Sequence, residues 1–434
     1  MKIGFISMPL SGHLNPMTTL ARKLASRGHD VVFIGIPDVE PTVRAADLQF
    51  VPFCEKEYPF GCDSWSGVTK RQGLDVVQYS SREVQPGLCR TALEYLPGIL
   101  AETGIEALVF DTVYFYLELV PMHLGIPYVH IWNVLHFDLS GETPPTFFSW
   151  PHETTPEAVT RNLEGAKWIG ENIAAPILAA AIPYAEKMEL QIDWEDPAST
   201  MSKLAIITQT PREFDLPGVQ WPDQFIYAGP FHDDAGREQV SFPWRKLTGE
   251  PLIYASLGTL VNGLDYLYKI ILEAVGKLSG IQTVLSVGRN ISPADLGPIP
   301  SNVIVVRKAP QIELLKLATL CLTHAGLNTA LESLAQGVPM VALPIAFDQP
   351  GVATRIAYHG VGEFFEIQDL TADSLSELIQ TVLKNPSYAD RARYFQRVIA
   401  KTRGLDLAAD VIETAFGLDQ ATDLTQQDNE LLYA

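Results

Sequence analysis

Positive charge is scarce in this chain of 434 residues: 31 Lys and Arg stand against 51 Asp and Glu, a formal net charge of −20. The sequence pI is about 4.8. A global field of that sign excludes nucleic acid and anionic membrane surfaces as main partners, although a local site can still oppose it and take a small anion. Cysteine is scarce too. Cys54, Cys62, Cys89 and Cys321 show no paired spacing, which predicts free thiols in a reducing, cytoplasmic compartment. No apolar run reaches the ~18–20 residues that span a bilayer. The longest candidate, "IAAPILAAAIPYA" from Ile173, is too short and contains two prolines. The start of the chain is not expected to be a signal peptide, because its short apolar run merges into a strand-like pattern. Glycine is missing where an α/β protein often concentrates it. After the first apolar run, "ISMPLSGHLNPM" (residues 6–17) has one glycine and a histidine. A glycine-rich phosphate cradle is therefore excluded from that turn.

What is present describes a globular α/β protein. Hydrophobic residues make up 47% and charged residues 19% of the chain, and the length calls for two domains of roughly 200 residues each. "KIGFIS", a helical stretch ending at Gly28 and "HDVVFIG" form a strand–helix–strand unit, hence a parallel strand pair. Asn15-Pro16 is the expected helix start. The pattern returns at "ALVFD" (107–111), "PYVHIW" and "LAIITQT" (204–210). Residues 54–80 and 137–165 lack a clear period and are rich in Pro, Gly and aromatics, so they are expected as long functional loops. A polar, proline-containing break at 229–250 separates a second alternating region: "PLIYASLG", a helix near 264–278, "QTVLSVG", "NVIVVRKAP", "LCLTHAG" and "VPMVALP". The expected division is 1–230, a linker at 231–250, a second domain at 251–405, and a terminal helix with a polar tail at 406–434.

Ligands of doubly wound sheets bind beyond the carboxyl ends of the strands. His13 and Asp111 both fall there, after the first and fourth strands, which are neighbours across the switch point of such a sheet. A carboxylate on one imidazole nitrogen fixes the tautomer and makes the other nitrogen a general base. Taken singly, each residue has a plainer reading: a solvated turn histidine, and a helix N-cap. In the second half, Lys308–Pro350 collects polar groups at strand ends and helix starts. "LCLTHAG" leads into a helix whose first N–H groups and dipole suit an anion, with His324, Gly326, Asn328 and Thr329 around it. Glu332 lies one turn further along the same face, suited to neutral vicinal hydroxyls. Asp348 and Gln349 offer acceptors and donors for sugar hydroxyls. Ser256, Gly258 and Thr259 end another strand at the same crevice.

The pieces "APQ", "THAG-NT-E", "GVPM" and "P---DQ", with "PLSGHLNPM" and "RGHDVVFI" at the start, resemble the family 1 UDP-dependent glycosyltransferases. The linker and restart are most similar to bacterial members of the macrolide and zeaxanthin glucosyltransferase type. The resemblance implies a GT-B fold, two doubly wound Rossmann-like domains facing a central cleft, with the terminal helix packed back on the first domain. It implies His13 as base and Asp111 as its partner. It also implies Ala309 and Gln311 at the uridine, His324, Asn328 and Thr329 at the diphosphate, Glu332 at the ribose, and Asp348 and Gln349 at the hexose. UDP-glucose would be the co-substrate, with no further cofactor and no required metal. Lys308 stands where plant members carry a tryptophan that stacks on uracil, and Leu327 replaces another tryptophan, so the choice between uracil and thymine is open. The aromatic residues Tyr114, Trp132, Phe137 and Phe148 are the candidates for an apolar, hydroxylated acceptor of flavonoid, terpenoid, carotenoid or macrolide type. A UDP-sugar epimerase and a non-catalytic nucleotide-sugar binding protein on the same fold are the alternatives.

Overall fold

Two parallel sheets organise the chain in the computed structural model, which describes residues 1–233 and 240–418. The first contains β1 (Lys2–Ile6), β2 (Asp30–Gly35), β3 (Gln49–Pro52), β4 (Ala107–Asp111), β5 (Tyr128–Trp132), β6 (Ile206–Thr208) and β7 (Phe225–Tyr227). Their spatial order is β3-β2-β1-β4-β5-β6-β7. The second contains β8 (Leu252–Ser256), β9 (Gln282–Ser286), β10 (Val303–Val306), β11 (Ala318–Thr323), β12 (Met340–Ala342) and β13 (Gly362–Phe364), in the order β10-β9-β8-β11-β12-β13. Both orders reverse direction once, as a doubly wound sheet does. The central strands are apolar along their whole length because helices cover both faces. The reversal lies between β1 and β4, where Ile6 is in register with Phe110. It therefore brings the residues after β1 and β4 side by side.

Three local expectations are corrected. The first helix, α1, runs Ser11–Ser26 with Leu10 as its N-cap and Pro16 inside it. The extended Leu10 already accepts the His13 and Leu14 N–H groups through its carbonyl, so the helix begins before the Asn-Pro pair and His13 rides on its first turn. Residues 54–80 are not loop throughout. Helix starts at Leu74 and continues, through a π-helical turn at Ser80–Val84, to Thr103. Likewise 137–165 gives way to helix at Pro156, capped by the Thr155 hydroxyl, with a second π turn at Gly170–Ala174 before Ala175–Lys187. These two interrupted helices pack against each other. Alternation of aromatic, Gly and Pro hid their period.

The terminal helix Leu405–Ala415 lies against α1. Arg27 donates to Asp410 at 2.7 Å and to Glu413 at 2.6 Å, and His29 meets Glu413 at 2.8 Å. Residues 234–239 of the expected linker and the tail from 419 lie outside the described residues. All four cysteines are free thiols. Among the described residues no helix is long and apolar enough to cross a membrane.

Candidate active site

His13 and Asp111, 98 residues apart in sequence, meet at the switch point: His13 Nδ1 lies 2.8 Å from Asp111 Oδ2. The same oxygen accepts the Ser7 hydroxyl and the Met8 N–H, each at 3.1 Å. β1 and its turn thus hold the carboxylate from one side while α1 presents the imidazole. Asp111 is buried, and the His13 side chain keeps 12% of its surface exposed. Burial opposes the imidazolium, but the charge and hydrogen bond of Asp111, with a further contribution from Asp348, raise the His13 pKa above its ordinary value of 6.5. With Nδ1–H given to Asp111, the neutral ring carries its lone pair on Nε2. No helix starts at Asp111; the next begins at Leu119. The N-cap reading of Asp111 is therefore overturned.

Across the cleft the second domain shapes a tight turn. β11 ends at Thr323, and the Leu327–Ala335 helix opens behind Gly326 as N-cap. His324 fills the space between two glycines. A Cβ on Gly258 would sit 2.6 Å, and one on Gly326 2.5 Å, from His324 Nε2. Burial lowers the His324 pKa to about 4, against an opposing hydrogen bond that the ring donates to the Ser256 backbone. The ring is neutral at pH 7 and offers one N–H rather than a charge. Ala325 and Phe347 adopt left-handed φ values of 63° and 55°. Neither is glycine, and each such residue costs about 1–3 kcal/mol. Both sit immediately before a helix entry that carries expected donor-site groups.

Gln311 joins two of those groups to Tyr254. Its Nε2 donates to Glu332 at 2.6 Å and to Thr329 at 3.3 Å, and its Oε1 accepts the Tyr254 hydroxyl at 2.9 Å. The Asp348 carboxylate accepts the Leu135 N–H from the first domain at 2.9 Å. Gln349 departs from expectation. Its Oε1 turns back onto the Ile345 and Ala346 N–H groups at 2.8 and 3.0 Å, so only its Nε2 remains for a ligand. Asn328 departs too, because its side chain faces the first domain. Lys308 and Ala309 follow the β10 edge, on the same side as Ser256, Gly258 and Thr259 at the end of β8.

Buried side-chain polar atoms without a partner gather at these strand ends: Asp111 Oδ1, Thr112 Oγ1, both amide atoms of Asn133, Thr210 Oγ1 and His324 Nδ1. Folded proteins leave few such groups unpaired. These six atoms follow β4, β5, β6 and β11; nine others lie elsewhere among the described residues.

The aromatic candidates divide. Tyr114 and Trp132 are buried, Tyr114 within the first-domain core and Trp132 against Ile206 and Phe225. Their side chains follow β4 and β5 inward, so packing accounts for them. Phe137 packs between Trp132 and Phe147. Phe148 lines a cavity of about 190 Å³ between the domains, with Leu74, Val77 and Phe147 on one wall and Phe347 and Pro350 on the other.

Sequence reasoning missed the residues that hold the domains together. The Gln349–Tyr358 helix belongs to the second domain, yet Gly351 N–H donates to Thr146 O at 2.8 Å. Its Arg355 reaches Asp215 of the first domain through Nε at 3.1 Å and Nη2 at 2.6 Å. Asp215 also takes His136 Nε2 at 2.7 Å and the Tyr227 hydroxyl at 2.6 Å. Nothing in the spacing of these residues announces the pairing.

Two facing Rossmann-like domains, with a histidine–carboxylate pair at the switch point of one and the start of the Leu327–Ala335 helix in the other, make the GT-B architecture. The profile of the UDP-glucoronosyl and UDP-glucosyl transferase family matches residues 242–415, and over nearly its whole length the chain is similar to curated glycosyltransferases. It is 25% identical over 413 residues to the uncharacterized UDP-glucosyltransferase YojK of Bacillus subtilis (strain 168), covering 94% of this chain and 95% of the relative. It is 26% identical to a zeaxanthin glucosyltransferase of Pantoea ananas, covering 94% of each. Among solved structures, the glycotransferase of kitacinnamycin superposes with a TM-score of 0.73 at 24% identity, covering 95% of this chain and 98% of that one.

Proposed function

We propose that the protein is an inverting glycosyltransferase that moves glucose from UDP-glucose to a hydroxyl of an apolar small molecule of flavonoid, terpenoid, carotenoid or macrolide type. The observation that carries this reading is the His13–Asp111 pair, 2.8 Å apart at the cleft. His13 Nε2 takes the acceptor proton as the oxygen attacks the anomeric carbon, and Asp111 stabilises the imidazolium that forms. The leaving diphosphate meets the first N–H groups of the Leu327–Ala335 helix and the His324 ring. Glu332, held by Gln311, takes the ribose hydroxyls, and Asp348 takes hexose hydroxyls. The cavity of about 190 Å³ beside Phe148 receives part of the acceptor. The named activity of the zeaxanthin relative supports an acceptor of this kind. The test is a panel of apolar alcohols with UDP-glucose, read by mass. Return of every acceptor unchanged, or conversion of UDP-glucose alone to another sugar nucleotide, would overturn the proposal.

Stereochemistry follows from placing base and leaving group on opposite rims. Attack comes from the face away from the diphosphate, so α-linked UDP-glucose yields a β-glucoside. Proton NMR of the product checks this, and a small anomeric coupling, the mark of an α-glucoside, would contradict the arrangement. Glu332→Ala is expected to raise the KM for UDP-glucose with little change in kcat. The ribose carries no developing charge, so the lost contact is shared by ground and transition states. A fall in kcat at unchanged KM would remove Glu332 from the ribose.

A further inference from the structure

Asn328 is the second residue of the Leu327–Ala335 helix, in the position expected to hold diphosphate, yet its amide points out of its own domain. Asn328 Nδ2 donates to Gly12 O at 2.7 Å, and its Oδ1 accepts Gln209 Nε2 at 2.8 Å. The same Gln209 Nε2 donates to Asn133 O at 2.8 Å. Both outer ends of this chain are backbone carbonyls, which only accept, so neither amide can be flipped without losing a bond.

The Gly12 carbonyl is available for a specific reason. In an α-helix it would accept the N–H of the residue four positions on. That residue is Pro16, which has none. The proline inside α1 thus removes the usual helical donor to this carbonyl one residue before His13, and Asn328 of the Leu327–Ala335 helix donates to it instead. Gln209, just beyond β6 and buried, holds the other side of the amide in place.

We infer that Gln209 and Asn328 form a positioning relay: Gln209 orients the Asn328 amide, which ties the turn carrying His13 to the start of the helix that receives the leaving group. The relay sets the separation of base and leaving group across the cleft. It rests on the reading of His13 as base. Gln209 and the Gly12 carbonyl are each engaged by protein groups, Gln209 by Asn133 and Asn328 and Gly12 by Asn328. Displacements of a fraction of an ångström to one ångström between reacting groups are enough to lower turnover by large factors.

The experiment is a double-mutant cycle on the full chain with Gln209→Met, Asn328→Ala and the pair. It is read as kcat with the best acceptor and, separately, as the dissociation constant of UDP by calorimetry. Gln209→Met is expected to lower kcat by about tenfold or more, with UDP affinity within about threefold of the parent. UDP binding also reports that the variant is folded. The double variant is expected to lose little more turnover than Asn328→Ala alone, because two members of one relay are not additive. Unchanged kcat in Gln209→Met, a parallel loss of UDP affinity in that variant, or additive losses in the pair would each overturn the relay. If Gln209→Met misfolds, Gln209→Glu, which keeps the shape but cannot donate when ionised, gives the same readout. Failure of the base reading is separable. It shows as normal turnover in His13→Ala, whatever the cycle gives.

Discussion

Replacing His13 with alanine is expected to lower kcat by about 10²–10⁴-fold on an alcohol acceptor while leaving UDP binding intact. The side chain that disappears pairs a free Nε2 with a buried carboxylate partner at the switch point between β1 and β4. The pH dependence carries the same signature. A base must be unprotonated to act, and burial, Asp111 and Asp348 together leave the His13 pKa above 6.5. The acidic limb of kcat/KM therefore lies above 6.5, and activity rises as pH increases through it. Asp111→Asn removes the raising charge and leaves the desolvation that lowers the pKa. Its acidic limb moves to lower pH while its maximal rate falls, because imidazolium is no longer compensated. Near-normal turnover in His13→Ala, or a limb that does not move in Asp111→Asn, would exclude the pair from proton transfer.

Asp215→Ala is expected to cost about 3–5 kcal/mol, because it leaves the Arg355 guanidinium buried without its partner. Arg355 and Asp215 are both buried, and they belong to different domains. The loss should appear as a lower urea midpoint for the step that separates the domains. Replacing both residues with apolar ones, Asp215→Leu with Arg355→Met, should recover part of it, since a buried pair adds little net stability over well-packed hydrophobes. The pair also has a pH window. Burial opposes the Asp215 charge, but the charges of His136 and Arg355 and the hydrogen bonds from His136 and Tyr227 hold its pKa well below the ordinary 3.8. A depressed carboxylate contributes stability that is fully present above the unfolded value of about 3.9 and is withdrawn as pH falls toward the folded one. The parent should therefore lose interface stability below about pH 4, and the double variant should not show that loss. A midpoint unchanged by Asp215→Ala would mean that water or another group satisfies Arg355.

Much of this protein was legible without coordinates. The apolar runs at "KIGFIS", "ALVFD" and "LCLTHAG" specify buried parallel strands because a strand covered on both faces must be apolar throughout. Polar residues placed just after such runs fall at the carboxyl edge of a sheet by topology alone, which is why His13, Asp111 and His324 could be named as candidates. The interrupted helices within 74–103 and 156–187 were not legible, because their apolar spacing is broken by aromatic and proline residues that pack against the neighbouring helix rather than against a sheet.

Tertiary structure alone decided which groups meet. Tyr114 and Phe148 look equivalent in sequence, yet one packs in the core and the other lines the cavity between the domains, since both lie in irregular segments whose path is set by what packs against them. The Asn328 amide was assigned to a ligand by its place at a helix start. The facing domain instead supplies Gly12 O, Pro16 having removed the usual helical donor to that carbonyl inside α1. Arg355 and Asp215 carry no local pattern at all, because an interdomain ion pair is selected by the angle between two folded bodies. Local sequence determines strands, turns and the residues at their ends through short-range sterics and burial. The distances between those ends depend on how two separately folded sheets pack together.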